Sequence, residues 1–241
     1  MIALLLAAVT FVSTALGGLF ALHRRRHLYL VMGGAAGLLV GSALLDLLPD
    51  ALGLVTDQGR RGVMAVAASA GAGFLAFLVV DHAVHTQAAG HQEQGNRAFG
   101  SAAALGLTVH SFLDGMAIGA AFEQSAGLGA LVGVAVIAHD FGDGVSTVGV
   151  VLGSRGTPRA SLAWLLADAT APIAGVLAAR ALHVPRADLA LLLGFFAGTF
   201  LFVGAAHLLP EAAREGRKGP LAISVLCGVA FIGAATWILE R

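Results

Sequence analysis

An all-α, polytopic bundle of membrane-crossing helices is the fold this sequence predicts, on three observations. The chain has 241 residues, 58% of them hydrophobic and only 12% charged, with a mean hydropathy of +0.87, beyond what a water-soluble domain of this length carries. Its apolar residues come in runs of about 20, the length that crosses a bilayer, without the strict alternation of a barrel strand. Glycine is abundant at 33 residues, as expected where membrane helices approach one another through small side chains. Lipid offers no partner to backbone N–H and C=O groups, so runs of this kind must be helical.

Eight such runs are expected, at residues 2–22, 29–52, 63–83, 99–122, 127–153, 160–180, 188–209 and 220–239, forming a single transmembrane domain over 1–241. The first, MIALLLAAVTFVSTALGGLFAL, is followed by the basic HRRRH (23–27) instead of being preceded by it. That order is the reverse of a secretory signal, so the run reads as a retained span. The remaining runs are separated by TDQGRR (56–61), HTQAAGHQEQGNR (85–97), SRGTPR (154–159), HVPRAD (183–188) and EAAREGRKGP (211–220). Arg24, Arg25, Arg26, Arg97, Arg155, Arg159, Arg214, Arg217 and Lys218 fall on one side of the bilayer, the smaller set Arg60, Arg61, Arg180, Arg186 and Arg241 on the other. The positive-inside rule then places both termini outside the cytosol. A net charge of zero gives no reason to expect a nucleic-acid partner. The lone Cys227 cannot form an intrachain disulfide.

GSALLDLLPDAL (41–52) in the second run echoes FVGAAHLLPEAA (202–213) in the seventh, with Asp46 matching His207 and Asp50 matching Glu211. One copy lies second from the start and the other second from the end, so the two would cross in opposite directions. The expectation is an inverted repeat of spans one to three and six to eight around spans four and five, a transporter's architecture with its site near the midplane.

Spans four and five carry HSFLDG (110–115) and HDFGDG (139–144). Helical residues at i, i+1 and i+4 share a sector of about 100°. His110, Ser111 and Asp114 therefore lie on one face, and His139, Asp140 and Asp143 on another. Facing each other, they would place imidazoles, carboxylates and a hydroxyl in one small volume. An ionisable group at the bilayer centre costs about 2.5–3.5 kcal/mol, and no Lys or Arg within these spans offsets the three aspartates. A divalent cation would. Mixed nitrogen and oxygen donors favour zinc, or iron, manganese, cobalt, nickel or cadmium, over magnesium or calcium. The alternative, bonding within the bundle or proton carriage, suits a single intramembrane His or Asp better than two matched sets. Gly115 and Gly144 read as packing positions, not ligands.

HSFLDGMAIGAAF resembles the span-four motif of the ZIP (Zrt-, Irt-like protein) family of divalent metal transporters, HDFGDG its span-five motif, and LLPDAL and HLLPEA its acidic Leu-Leu-Pro segments. The resemblance implies eight spans, outside termini, a His-containing cytosolic loop after span three and a binuclear site between spans four and five. It further implies His110, Asp114, Asp140 and Asp143 as metal ligands, with His139 and Ser111 at positions that ligate in some members and Asp46 and His207 along the route. Three positions depart from the family pattern: Ser111 replaces a common Asn, Leu113 and Gly142 replace frequent prolines, and Ala171 precedes Pro172 where an acid is usual. The departures imply less kinked helices and leave the second metal position open. Asp168, one turn before Pro172, either substitutes there or bonds within the bundle. His82, His85, His91 and Glu93 of the loop are either simply solvated, as loop histidines more often are, or catch released metal.

The expected function is therefore transport of a divalent transition metal toward the cytosol, the metal being cargo and not a cofactor. No GxxxxGK[ST] motif provides for direct ATP drive. An intramembrane zinc-dependent hydrolase is the rival reading, since His and Asp can also hold a catalytic metal, and a flux-free sensor is the third. The lipid bilayer is the expected surrounding, with the short loops pointing to a prokaryotic inner membrane and homodimerisation left open.

Overall fold

The computed structural model describes residues 2–24, 27–87, 92–124, 126–179, 185–215 and 217–239, and among these the ordered elements are all helical. They are α1 (Ile2–His23), α2 (Leu28–Ser42), α3 (Leu48–Gly53), α4 (Gly59–Gln87), α5 (Gln92–Gln124), α6 (Ala126–Gly153), α7 (Pro158–Ala178), α8 (Arg186–Leu201), α9 (Leu209–Glu215) and α10 (Lys218–Leu239). Seven segments among the described residues are long and apolar enough to cross a membrane, those of α1, α2 with α3, α4, α5, α7, α8 with α9, and α10. The remaining long helix, α6, runs for 28 residues. It lies outside that set of seven, and some of its side chains, His139 included, lie outside the described residues.

Local chemistry explains where the helices begin and bend. Thr157 caps α7 by accepting a 3.1 Å hydrogen bond from the Ala160 backbone N–H, and Pro158 follows at the first position, where no N–H is needed. Pro49 and Pro210 cannot donate to the carbonyls four residues earlier, and their rings would strike them. In both places the chain loosens into a π-helical segment just upstream, Ala43–Leu47 before Pro49 and Phe202–Leu208 before Pro210. These are the two matched Leu-Leu-Pro stretches, and Asp46 and His207 lie inside the widened turns. With Leu113 and Gly142 in place of proline, α5 and α6 run without interruption through their His and Asp motifs.

Glycine decides which helices belong together. A methyl added at Gly17 or Gly144 would enter the facing backbone of α6 or α1, and one at Gly115 or Gly175 the facing backbone of α7 or α5. The same reciprocity joins α2 to α10 through Gly37 and Gly228, and α4 to α8 through Gly73 and Gly198. Such backbone approach is how helices associate where no water drives them together. Further contacts join α1 to α7 and α5 to α6, while α3 and the second π segment pack on α8 and α2. Two bodies result, one of α1, α5, α6 and α7, the other of α2, α3, α4, α8, α9 and α10.

The seam between the bodies is built differently. Across it α6 meets α2 through side chains, with Gly149 opposite the Ala35 methyl, Gly153 opposite Met32 and Leu208, and Gly142 opposite Leu38. Val148, Val151, Met32, Leu39 and Phe200 are buried in one cluster that spans it.

Candidate metal centre

His110 and Asp114 are one turn apart on α5, which brings His110 Nε2 within 3.4 Å of Asp114 Oδ2. Asp143 approaches from α6, and a ligand atom of each of the three lies within 4.8 Å of the others. His110 and Asp143 are buried, at 2% and 3% exposure, while Asp114 is half-buried. In a tetrahedral zinc site with bonds of roughly 2.1 Å, neighbouring ligand atoms stand about 3.4 Å apart. The His110–Asp114 spacing already has that value, and a small side-chain adjustment would bring Asp143 to it.

The imidazole is held from the other body. Phe200 meets its ring edge-on at 5.2 Å between centroids and Phe196 lies at 5.9 Å, both from α8. The cluster thus belongs to the first body by chain and faces the second across the seam.

Ser111 and Asp168 form a different arrangement. The Ser111 hydroxyl lies 2.7 Å from Asp168 Oδ1 as donor, closer than its 3.2 Å approach to the Leu107 carbonyl. Thr147 Oγ1 donates to Asp168 Oδ2 at 2.8 Å. Asp168 is fully buried, and its carboxylate ties α5, α6 and α7 together. Of the two roles the sequence leaves open for it, bonding within the bundle is the one this geometry displays. Asp140 is buried at 1% exposure on α6 but is not part of the three-residue cluster. The His139 side chain lies outside the described residues, as do those of His85, His91 and Glu93.

A second polar group closes one end of the bundle. His207, in the second π segment, stacks on Phe99 at 3.9 Å, lies 3.5 Å through Nδ1 from Asp81 Oδ1, and bonds through Nε2 with Ser154 Oγ at 3.2 Å. Glu211, one turn further, meets Arg155 at 3.3 Å and Arg214 at 3.1 Å. Asp46 is half-buried in the first π segment.

Sequence reasoning passed over Thr147, Asp81 and the Phe196–Phe200 pair. A hydroxyl one turn beyond Asp143, an acid at the apolar end of α4, and two aromatics at i and i+4 were the available signals.

A family model of the ZIP zinc transporters matches residues 88–236, a stretch that holds α5, α6, the whole cluster and Asp168. The chain belongs to the ZIP zinc transporter family. Among curated members, human zinc transporter ZIP4 is 31% identical over 135 residues, covering 56% of this chain and 21% of that protein. Mouse zinc transporter SLC39A7 is 30% identical over 114 residues, covering 44% of this chain and 24% of that protein. The chain spans about a fifth to a quarter of the length of these curated relatives. Membership of the ZIP family and seven membrane-length apolar helices together make this an integral membrane protein.

Proposed function

We propose that this ZIP family chain carries divalent transition-metal ions, zinc foremost, across a membrane toward the cytosol, with His110, Asp114 and Asp143 as the principal cargo ligands. The convergence of one imidazole and two carboxylates from α5 and α6 carries this reading. Its donor mixture suits zinc and its first-row neighbours. Asp140, one turn from Asp143, and His139, next to it in sequence, are further candidate ligands from α6, and Ser111 acts through Asp168. With Asp168 occupied by two hydroxyls, the site holds one ion well and a second weakly.

In this reading α6, about 42 Å long at 1.5 Å per residue, is an eighth crossing, and both termini lie opposite the cytosol. The inverted repeat draws support from the helix pairing. Exchanging span one with six, two with seven, three with eight and four with five turns the α1–α6 pair into α7–α5 and the α2–α10 pair into α8–α4. The glycine contacts follow that exchange, and so do the two π segments. Because the bodies are internally bound by backbone contact and meet through side chains, they would slide as units. His110 would then move past Phe196 and Phe200, presenting the cargo to each side in turn, with His207, Asp81 and Glu211 on the cytosolic route and Asp46, its counterpart in the inverted repeat, on the route from the opposite side.

The test is reconstitution into liposomes holding a metal-sensitive dye, run over a panel of divalent ions. Zinc entry abolished by Asp114→Ala is expected. Cleavage of lipid or peptide without flux would instead indicate a hydrolase, and tight zinc binding with neither activity a sensor.

A further inference from the structure

A groove of about 330 Å³ opens along the seam where α1 gives way to α2. Phe20 of α1, Phe141 of α6, Leu38 of α2 and Phe231 of α10 line it, with the Phe141 and Phe231 rings 6.0 Å apart. Its volume is that of a small-ligand site, yet its walls are almost wholly apolar. Polar character gathers at one end, where Arg24 and His27 line the mouth. Among the described residues no acidic side chain lines the groove. Arg24 is exposed, with its guanidinium 5.8 Å above the Phe20 ring, and among the described residues neither Arg24 nor His27 has a carboxylate partner.

We infer that this groove is a binding site for one acyl chain of an anionic phospholipid whose headgroup rests on Arg24 and His27. Length supports the assignment. From His27 at the mouth to Leu38 at the far end the helix rises about 16 Å at 1.5 Å per residue, which is half of a hydrocarbon core of about 30 Å and so the depth of one leaflet. Access supports it too, because Phe231 and Cys227 are exposed and open the groove sideways to lipid. A neutral lipid would fill the apolar part equally well. The Arg24 guanidinium at headgroup level is what selects an anionic one, worth about a fivefold preference near a membrane surface, with the His27 ring as a second polar contact at the mouth. The inference rests on the chain lying in a bilayer and not on the transport reading, so a liposome assay without zinc flux leaves it standing.

The chain's single cysteine lies in the groove and supplies the probe. Bimane attached to Cys227 of the full chain in nanodiscs is to be quenched by brominated-chain phosphatidylglycerol or, at the same mole fraction, by brominated-chain phosphatidylcholine. The expected result is stronger quenching by the glycerol lipid, equivalent to at least about a fivefold binding preference. In the Arg24→Gln/His27→Gln variant that preference falls to near unity. A reference probe at Val79→Cys in a Cys227→Ser background, on an α4 side chain 64% exposed, reports ordinary surrounding lipid and shows no such preference. Gly34→Leu keeps Arg24 and His27 but narrows the groove. Its first added carbon meets only Ser224 Oγ, at 3.4 Å, and quenching by both lipids at Cys227 falls. This second variant serves if the double substitution does not fold. Equal quenching by the two lipids, an equal preference at Val79, a preference that survives loss of Arg24 and His27, or a bimane signal that follows protein dilution in place of lipid composition would each overturn the assignment.

Discussion

Two sets of buried carboxylates share α5, α6 and α7 and are built in opposite ways. Asp168 receives a hydroxyl on each oxygen, from Ser111 at 2.7 Å and Thr147 at 2.8 Å. Asp114 and Asp143 instead converge with an imidazole, their ligand atoms within 4.8 Å of one another. Both solutions put acid inside an apolar bundle, where an uncompensated charge is expensive. In the first the protein supplies its own donors and the carboxylate becomes a three-helix tie. In the second the groups face one another, and a cation between them is the natural complement. Burial and acidity therefore do not mark a cargo site by themselves.

The largest expected effect separates the two sets outright. Asp114→Ala or Asp143→Ala removes one of the three converging ligands, and zinc affinity measured by titration calorimetry in detergent is expected to fall more than about 100-fold, beyond what loss of a supporting residue costs. Unfolding temperature should change little by comparison. Asp168→Ala is expected to do the reverse, lowering stability by roughly 1–3 kcal/mol as Thr147 loses this acceptor, Ser111 keeping the Leu107 carbonyl, while zinc affinity stays within about tenfold of the parent. Thermal unfolding followed by tryptophan fluorescence reads the first effect and calorimetry the second. Lost zinc binding at unchanged stability would move Asp168 into the cargo set.

Ser111→Ala is a finer cut, because the resemblance implies a ligand and the geometry a donor to Asp168. A stability loss of about 1 kcal/mol with unchanged zinc affinity favours the donor, whereas a drop in affinity at full stability favours the ligand. The smallest effect belongs to Glu211→Gln. Its partners Arg155 and Arg214 are exposed by 51% and 75%, so stability should change by no more than about 1 kcal/mol. If zinc flux nevertheless slows, Glu211 acts on the route and not on the fold.

The helical periodicity explains both what was readable and what was not. His110 and Asp114 are separated by a net 40° around α5, since four residues turn through about 400°, so their pairing was legible once a helix was expected. Ser111 stands about 100° from His110. Turning His110 toward Asp143 therefore turns Ser111 toward α7, and nothing in HSFLDG says whose carboxylate waits there. Asp140 and Asp143 differ by about 60° on α6, enough for one to join the cluster and the other to miss it. The Leu-Leu-Pro echo was visible as letters, but the π segments upstream of Pro49 and Pro210 depend on how each helix recovers its lost hydrogen bond.

What this sequence determined alone is the class of fold and the chemistry of the donors. Apolar runs of bilayer length must satisfy their backbone internally, and His and Asp within them carry their nitrogen and oxygen wherever they point. Tertiary structure decided which donors meet. Periodicity sets the angle between two side chains on one helix but leaves free the rotation of that helix against its neighbours. That rotation is set here by the glycine contacts that seat α5 on α7 and α6 on α1.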